Sequence, residues 1–477
     1  MDDIDAYDVV VVGHGMAGLS AGIAARESGA DVVVLEKSPA AEAGGNTQYT
    51  IGLRTVLSEL DPADYDTHRL ADPVEYTAET FYDDLMQLSN GLADEALCRT
   101  LVSKSKETTD WLNAHGVPWL DGMFEPFYPG IDDPEAPGVL WLEGGGAAAA
   151  DSLQAAGEAL GVEYHYETGA RDLIQDEHGH IVGVVASRNG QPVEYRAGAV
   201  VMASGGFEAS RSKQAKYLGE GADLYTIRGS PYNTGELTEA ALEAGAKAEG
   251  NWSDIHATLV DIESEYAGAN GKTNVVGYNY GIVVNTEGKR FIDEGGDRYE
   301  YGYVLMKELH QQPNRMGYVI VDADTRKFID SLGPTEPMAF DSIEEMAAGL
   351  EIDPAVLRDT IESYNAAVQP GEFVPRRPDG KGTDGIEPPK SNWAVPLDTP
   401  PYYALPTKTG ITFTFGGLKI DDRARVQDKQ LQTMSGLYAA GNTTGGFFFK
   451  NYAGGFGLAR ASVFGKIAGE EAARHAQ

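Results

Sequence analysis

The chain has 477 residues, and its 37 basic and 73 acidic residues give a formal net charge of −36. This charge argues against nucleic acid and anionic membranes as partners. The length allows a large core and two or three domains, and the hydrophobic content of 42% is typical of globular proteins.

Neither the N-terminus nor the single cysteine indicates an extracellular protein. The acidic start of the chain leads directly into an apolar run, without the basic region and apolar core of a secretory signal. No apolar run reaches the roughly 18 residues that a transmembrane helix needs. We therefore expect a cytoplasmic protein without a membrane span. Cys98 cannot form an internal disulfide or a multi-cysteine metal cluster, so we interpret it as a small buried hydrophobic residue and predict no metal site.

The first predicted elements form a strand, a glycine-rich turn, a helix and a second strand. The run Val9–Val12 is uniformly apolar and β-branched, as in a strand buried on both faces. The turn "GHGMAG" at 13–18 follows, and then comes an Ala- and Leu-rich helix that ends near Gly29. A second strand, Val32–Leu35, ends at Glu36. This arrangement predicts a dinucleotide-binding unit.

Each residue type of this unit has a physical role. Gly13 permits a tight turn, Gly15 lets the backbone approach a pyrophosphate, and Gly18 allows close packing of helix on strand. The helix N-terminus offers main-chain N–H groups to phosphates. Glu36 can accept hydrogen bonds from a ribose. These features predict a bound dinucleotide but do not distinguish FAD from NAD.

Later elements repeat the pattern of a buried strand that ends on glycine. The stretch 197–207 reads as a strand that ends at Gly205-Gly206, and 435–442 reads as a strand that ends at Gly441-Asn442. The Pro- and Gly-rich stretch 374–403 predicts an ordered irregular loop. An Ala-rich helix that opens on glycines is predicted over 454–476.

Four motifs carry a family resemblance. They are "GGNTQYTIGLR" at 44–54, "GITFTFGG" at 410–417, "GLYAAG" at 436–441 and "NYAGGFGL" at 451–458. Together they resemble the fumarate reductase and succinate dehydrogenase flavoprotein superfamily, and within it the tricarballylate dehydrogenase group. The resemblance implies an α/β fold with a Rossmann-like FAD-binding domain built from both chain ends and an inserted α+β capping domain. The implied domains are 1–250 for the first FAD-binding half, 251–405 for the cap and 406–477 for the second FAD-binding half.

The resemblance also implies that the chain binds FAD non-covalently. Covalent members carry a histidine near the first Gly-Gly pair, where this chain has Asn46-Thr47-Gln48. Two departures touch the cofactor site, since Asn442 replaces the usual acidic residue and Glu236 stands at a usual Asp position. The predicted cofactor-binding residues are Gly13, Gly15, Met16, Ala17, Gly18, Glu36, Lys37, Gly44, Gly45, Asn46, Thr47, Ala170, Ala203, Gly205, Gly441, Asn442, Gly457 and Leu458.

Members of this superfamily oxidise or reduce a C–C bond beside a carboxylate or carbonyl group. They need cations for the substrate, a proton-transfer group opposite the flavin, and exclusion of water. In fumarate-reducing relatives the proton-transfer arginine lies eight residues after the arginine of a "GxRFxxE" turn, and Arg290 and Arg298 have this spacing. We therefore expect Arg298 to transfer the proton. The alternative is an exposed cation that pairs with Asp293 or Asp297.

Other positions both match and depart from these relatives. His256 stands where they have a substrate-binding histidine, although an isolated histidine can also be structural. Thr412 and Tyr452 replace a histidine and an arginine of the fumarate clamp, while Asn274 and Gly277 replace the glutamate and arginine of the proton relay. The tyrosine favours the tricarballylate dehydrogenase group, and it is also similar to a tyrosine of Δ1-ketosteroid dehydrogenases.

The remaining candidates lie close to these motifs in the sequence. Arg54, Lys450 and Asn451 are further candidates for substrate binding, together with Thr412. A cluster of tyrosines could line a replacement path for the proton, or it could pack the cap against its base. The cluster comprises Tyr278, Tyr280, Tyr299 and Tyr301.

Three functional hypotheses follow from the resemblance. The first is an FAD-dependent dehydrogenase that forms an α,β-unsaturated acid from a saturated di- or tricarboxylate, with Arg298, His256 and Tyr452 as catalytic residues. The second is an ene-reductase of the fumarate reductase type, or a 3-ketosteroid dehydrogenase-like enzyme that acts on an enone. The third is a non-catalytic flavin-binding subunit. The expected partners are a small-molecule acid or ketone and an electron donor or acceptor that the sequence does not identify.

Overall fold

The computed structural model describes residues 5–60, 76–120, 138–265, 273–296, 307–331, 333–375, 377–452 and 454–477. Strands β1 to β20 are, in chain order, Asp5–Val12, Val32–Leu35, Gly52–Arg54, Val139–Trp141, Glu163–His165, Thr168–Gln175, Ile181–Arg188, Gln191–Met202, Thr226–Ile227, Ala248–Glu249, Ile255–Asp261, Val275–Val276, Ile282–Asn285, Met316–Val321, Asp330–Ser331, Met338–Phe340, Tyr402–Thr414, Gly417–Leu418, Arg425–Gln427 and Thr433–Ala439. Helices α1 to α9 are Met16–Glu27, Ala78–Leu88, Glu95–Ala114, Gly145–Leu160, Arg211–Lys213, Glu236–Glu243, Ile343–Gly349, Pro354–Ala367 and Phe456–Ala476.

The larger sheet contains strands from both ends of the chain. Its order is β19-β20-β8-β1-β2-β5, and β7 and β6 extend from β8. The pairs β1–β2, β1–β8, β8–β20 and β2–β5 are all parallel. Residues Val9–Val12 of β1 are buried, as the uniformly apolar pattern predicts for a strand covered on both faces. The C-terminal strand β20 therefore completes a sheet that the N-terminal strand begins.

Helices α1 and α9 pack against each other and against this sheet. Their close approach requires glycine in α9. A Cβ atom at Gly465 would lie 2.5 Å from the carbonyl oxygen of Ala17, and one at Gly469 would lie 2.2 Å from that of Ala21. Both distances are shorter than van der Waals contact, so larger residues at these positions would separate the helices. This packing fixes the C-terminal helix on the N-terminal dinucleotide-binding unit.

A second sheet has the order β11-β17-β14-β13, and β9 and β16 also pair with β17. Side chains alternate between its faces. On one face, Ile320 and Ala404 pack with Leu357 and Ile361 of α8. On the other face, residues such as Ile411 form a separate core. The sheet is thus covered on both faces along much of its length.

The predicted domain boundaries divide this second sheet. Strand β17 runs across the predicted boundary at 405, and β9 precedes the predicted boundary at 250. The inserted cap and the FAD-binding halves therefore share hydrogen-bonded strands. The division at 250 and 405 remains our proposal for the domain organisation.

Two further features concern the expectations for Cys98 and for a membrane span. Cys98 is a free cysteine with no exposed surface, and burial raises the pKa of its thiol to about 12. Across the residues that the structure describes, every helix is too short or too polar to cross a membrane.

Candidate active site

A cavity of about 420 Å³ lies where the two sheets meet, and this volume falls within the range of about 300–1,000 Å³ for small-molecule sites. Its walls come from the glycine-rich turn, the segment 45–52, the end of β8, the cap sheet and the start of α9. One cavity therefore contacts most of the predicted cofactor residues together with His256, Thr412 and Tyr452.

The glycine-rich turn has the shape that the sequence predicts. Gly13 has a φ of +110°, and a Cβ atom there would lie 2.3 Å from the carbonyl oxygen of Ala203. A Cβ atom at Gly18 would lie 1.8 Å from the carbonyl oxygen of Gly13. At Gly15, the nearest atom to a Cβ would be Oγ1 of Thr47 at 3.4 Å, so this position has room and faces the cavity. The turn thus fits the close approach of a pyrophosphate to the backbone.

Residues around the turn fix its geometry. Thr47 Oγ1 accepts a hydrogen bond from the main-chain N–H of Met16 at 2.8 Å. The two carboxylate oxygens of Glu36 accept hydrogen bonds from the N–H groups of His14 and Ser38, at 2.9 and 2.7 Å. Glu36 is buried but lines the cavity. Its carboxylate is therefore oriented before any ribose binds.

Lys37 lies at the edge of the cavity, on the side of Glu36. Its ammonium group forms an ion pair of 2.9 Å with Glu236, at the position where the family resemblance implied Asp. Because both side chains are about half exposed, the pair contributes little to stability.

Asn46 connects the predicted cofactor segment to the cap sheet. Its amide donates hydrogen bonds to the carbonyl oxygen of Thr412 at 2.7 Å and to Glu208 Oε1 at 2.8 Å, and its oxygen accepts from the N–H of Ser230 at 2.8 Å. Glu208 also accepts a hydrogen bond from Asn233 at 2.7 Å. Burial raises the pKa of the fully buried Glu208 to about 7. The sequence interpretation missed Glu208 and Asn233.

The C-terminal contribution centres on the start of α9. The hydroxyl oxygen of Tyr452 accepts a hydrogen bond from the N–H of Gly457 at 2.9 Å. Arg460 donates to the side-chain oxygen of Asn442, and its guanidinium carbon lies 4.8 Å from the ring centre of Phe448. Burial lowers the pKa of Arg460 to about 10. Asn442 thus holds a buried arginine that the sequence interpretation did not identify.

Of the predicted reacting residues, His256 lies on β11 of the second sheet and Tyr452 lies just before α9, while Thr412 is on β17. His256 stacks on Phe413 with ring centres 4.9 Å apart, and its ring contacts Tyr452 edge-on at 4.6 Å. Burial, followed by the charge of Arg228, lowers the pKa of His256 well below its ordinary value of 6.5, so the imidazole is neutral near pH 7. Thr412 and Tyr452 line the same cavity. The structure therefore brings His256, Thr412 and Tyr452 together.

Arg228 is a site residue that the sequence interpretation missed. It is buried, it lines the cavity, and it donates hydrogen bonds to Asn274 Oδ1 at 3.1 Å and to Thr412 Oγ1 at 3.5 Å. In the sequence, the only local indication of a functional role is that this arginine stands before Gly229-Ser230, directly after the short strand β9. Sequence spacing does not place β9 beside β17, so the local pattern gave no reason to select this arginine.

The other candidates have different surroundings. Arg54 lines the cavity, but its guanidinium donates to the carbonyl oxygen of Gly454 at 2.9 Å and lies 3.9 Å from the carboxylate of Asp84. Lys450 and Asn451 are not among the residues that line the cavity. Gly18 and Gly44 are also absent from its walls, whereas all other predicted cofactor-binding residues are present.

Several predictions fall on residues that the structure does not describe. Arg298, Tyr299 and Tyr301 lie outside the described residues. Of the two described tyrosines, Tyr280 lines the cavity and donates its hydroxyl to the carbonyl oxygen of Pro375, whereas Tyr278 packs in the cap core. The segment before Arg298 is held by a buried ion pair of 2.6 Å between Arg290 and Glu294.

Comparisons with known proteins place this site in a family. The model of the FAD binding domain family matches residues 8–458. The chain is 30% identical to fumarate reductase (cytochrome) from Shewanella frigidimarina over 481 aligned positions, which cover 99% of this chain and 78% of the relative.

Solved structures show the same similarity. An open conformation of a flavocytochrome c3 fumarate reductase matches with a TM-score of 0.77 and 25% identity, covering 99% of this chain and 79% of that one. A 3-ketosteroid-Δ4-(5α)-dehydrogenase from Rhodococcus jostii, solved with 4-androstene-3,17-dione, matches with a TM-score of 0.74 and 25% identity, covering 99% and 98%. These findings confirm the predicted superfamily, fold class and FAD cofactor. The chain belongs to the FAD binding domain family, and it is an FAD-dependent oxidoreductase of the dehydrogenase and reductase type that acts on CH–CH groups.

Proposed function

We propose that the enzyme oxidises a saturated di- or tricarboxylic acid to its α,β-unsaturated form, as a tricarballylate dehydrogenase does. The observation that supports this most directly is the single cavity that joins the glycine-rich turn to His256, Thr412 and Tyr452. In the proposed reaction a hydride leaves one carbon of the substrate and a proton leaves its neighbour, so that a C=C bond forms. Bound FAD supplies the two-electron acceptor for the hydride, and the electrons then pass to an acceptor outside this chain.

The residues of the cavity support this reaction in distinct ways. Neutral His256 can donate a hydrogen bond to a substrate oxygen without carrying a charge of its own. The hydroxyl oxygen of Tyr452 accepts the N–H of Gly457, and in our proposal the same hydroxyl donates to a substrate oxygen. Thr412 and the aromatic rings of Trp393 and Tyr280 form further walls and exclude water.

We propose Arg298 as the group that transfers the proton: in the oxidation its neutral guanidine form takes the proton that leaves the substrate carbon and becomes a guanidinium. The support is its spacing of eight residues from Arg290, and Arg290 itself is held by the buried carboxylate of Glu294. A Cβ atom at Gly295 would lie 2.3 Å from the carbonyl oxygen of Asn392, so Gly295 packs tightly on the 374–403 loop.

The reverse reaction on an unsaturated acid or an enone is the second candidate. The similarity to a 3-ketosteroid dehydrogenase favours an enone, and Tyr452 together with neutral His256 could polarise a ketone. The direction depends on the potential of the flavin and on the electron partner.

The test is anaerobic mixing of the flavin-loaded enzyme with saturated acids and ketones, including tricarballylate and succinate. Loss of the visible absorption of oxidised flavin with an acid supports the dehydrogenase. Reoxidation of chemically reduced enzyme by an unsaturated acid or enone supports the reductase. We expect Arg298→Ala to abolish either response while the flavin content is unchanged, and Arg298→Lys to retain part of it. If no compound elicits a response and the variants match the parent, a non-catalytic flavin-binding subunit becomes the better hypothesis.

A further inference from the structure

We propose that Arg228 binds a carboxylate of the substrate, which makes the enzyme selective for an acid over an uncharged ketone. This inference rests on the proposed function, because it names the substrate class of the same site. The fumarate-type clamp is absent here, since Thr412 and Tyr452 stand at the positions of its histidine and arginine. Arg228 supplies a cation to the same cavity from a different part of the chain.

The register of the cap sheet directs Arg228 toward the cavity. The N–H of Arg228 donates to the carbonyl oxygen of Ile411 at 2.9 Å, which continues the pairing of β9 with β17. Ile227 and Ile411 belong to the core on one face of the sheet. Since side chains alternate along strands, their neighbours Arg228 and Thr412 emerge on the opposite face, where both line the cavity.

Three hydrogen bonds fix the orientation of the guanidinium. Nε donates to Asn274 Oδ1 at 3.1 Å, Nη1 to Thr412 Oγ1 at 3.5 Å and Nη2 to the carbonyl oxygen of Tyr49 at 3.0 Å. These three acceptors are uncharged. A guanidinium carries five N–H donors, and its planar fork matches the two oxygens of a carboxylate. Arg228 is therefore held as a preorganised donor rather than as a mobile surface cation.

Neighbouring groups complete a site for an anion. The hydroxyl oxygen of Thr258 is buried at the cavity wall and has no hydrogen-bond partner within the described residues. His256 is on the same strand, two residues away, and projects to the same face. A carboxylate oxygen could accept from both side chains while the other oxygen contacts Arg228. An uncharged ketone has one acceptor oxygen and no charge, so it can form neither the two-oxygen contact nor an ion pair with the guanidinium.

The charge of the whole chain makes such a local cation necessary. With a net charge of −36, the field of the protein repels an anionic substrate. Only cations at the site itself can reverse that repulsion at short range. Arg228 is 7% exposed, so solvent screens its attraction to a bound carboxylate less than at the surface.

The experiment measures binding by titration of the oxidised holoenzyme, with the perturbation of the visible flavin spectrum as the readout. The test compounds are tricarballylate, succinate, the neutral propane-1,2,3-tricarboxamide and 4-androstene-3,17-dione. We expect the parent enzyme to bind an acid and not the tricarboxamide. We expect Arg228→Met to bind that acid roughly 10- to 100-fold more weakly, because a hydrogen-bonded charge pair is lost. Added methylguanidinium is expected to restore part of the loss.

Two further variants keep the test informative if Arg228→Met fails to retain flavin. Arg228→Lys keeps the charge without the fork, so we expect an intermediate loss of acid binding. Asn274→Asp keeps the arginine but places a negative charge beside Nε, and we expect it also to weaken acid binding. The matched control is Arg358→Met, which removes an exposed arginine that pairs with Glu344 on the cap and should leave acid binding unchanged.

The outcomes separate the two proposals. Acid binding that changes less than about threefold in the Arg228 and Asn274 variants overturns the role of Arg228 and leaves the proposed function intact. A parent enzyme that responds to the steroid but to no acid overturns both this inference and the proposed oxidation of an acid, and it favours the reaction on an enone. A parent enzyme that responds to no compound overturns the proposed function, and this inference fails with it.

Discussion

The buried carboxyl group of Glu208 predicts a specific dependence of stability on pH. Burial raises its pKa from an ordinary 4.5 to about 7, although Asn233 and Asn46 donate hydrogen bonds to it and oppose the rise. At about 1.36 kcal/mol per pKa unit, ionising Glu208 costs about 3 kcal/mol more in the folded protein than in the unfolded chain. Between pH 4.5 and 7 the folded state binds the additional proton. The contribution of this group to stability is therefore full below pH 4.5 and is lost as the pH rises through 7.

The variant Glu208→Gln removes this titration and keeps an oxygen that can accept both amide hydrogen bonds. We expect its free energy of unfolding, relative to the parent, to rise by up to about 3 kcal/mol between pH 5 and pH 8. Urea unfolding of the parent and variant holoenzymes is measured at both pH values. The difference in unfolding free energy between variant and parent is then compared between the two pH values, so that the contributions of other titrating groups cancel. Glu344→Gln is the control, because Arg358 lowers the pKa of that exposed carboxyl group and the trend should be small and opposite. A difference that does not change with pH would show that Glu208 ionises normally, and the reasoning would be wrong.

Three other predictions follow from the site. Gly15→Ala should fold but bind FAD about tenfold more weakly or worse, because the added methyl group fits beside the protein and occupies the space of the phosphates. Gly18→Ala should lower the free energy of unfolding by about 3 kcal/mol, because its Cβ atom would meet a carbonyl oxygen. Measurements of flavin retention and of urea unfolding distinguish the two effects. Tyr452→Phe leaves the N–H of Gly457 without its acceptor and should lower the free energy of unfolding by about 1–2 kcal/mol, while equal stabilities would refute the hydrogen bond. For an acid substrate, kcat/KM should rise as salt increases from low ionic strength to about 0.15 M, because screening weakens the repulsion by the net charge of −36; a neutral substrate should show no such rise.

The parts of the fold that the sequence predicted are those in which pattern and neighbours are local. Val9–Val12, the turn at 13–18 and Val32–Leu35 lie within one strand-turn-helix-strand unit, so their periodicity and glycine spacing predict their arrangement. The contribution of the C-terminal strand β20 came from the family resemblance instead. Local sequence patterns contain no information on which distant strand pairs with β8.

The residues that the sequence interpretation missed depend on pairing between distant segments. Arg228 reaches the cavity because β9 pairs with β17, about 180 residues further along the chain. Glu208 is buried, and Asn46, 162 residues earlier in the chain, donates a hydrogen bond to it. Arg54 is the opposite case, because a local motif selected it as a substrate-binding candidate. In the structure its guanidinium instead donates to the carbonyl oxygen of Gly454 and lies near the carboxylate of Asp84. A charged residue seen alone in the sequence does not reveal whether its partner is protein or ligand.

The short helix Gly45–Tyr49 links the cofactor side of the cavity to the substrate side. Its Thr47 accepts from Met16 at the start of α1, while its Asn46 donates to the carbonyl oxygen of Thr412. The carbonyl oxygen of Tyr49, the last residue of the helix, accepts from Arg228. Five consecutive residues thus set both the position of the dinucleotide turn and the orientation of the proposed carboxylate-binding arginine. Because these contacts lie on one five-residue helix, the glycine-rich turn and Arg228 are positioned by the same element, which connects the cofactor side of the cavity to the proposed substrate side.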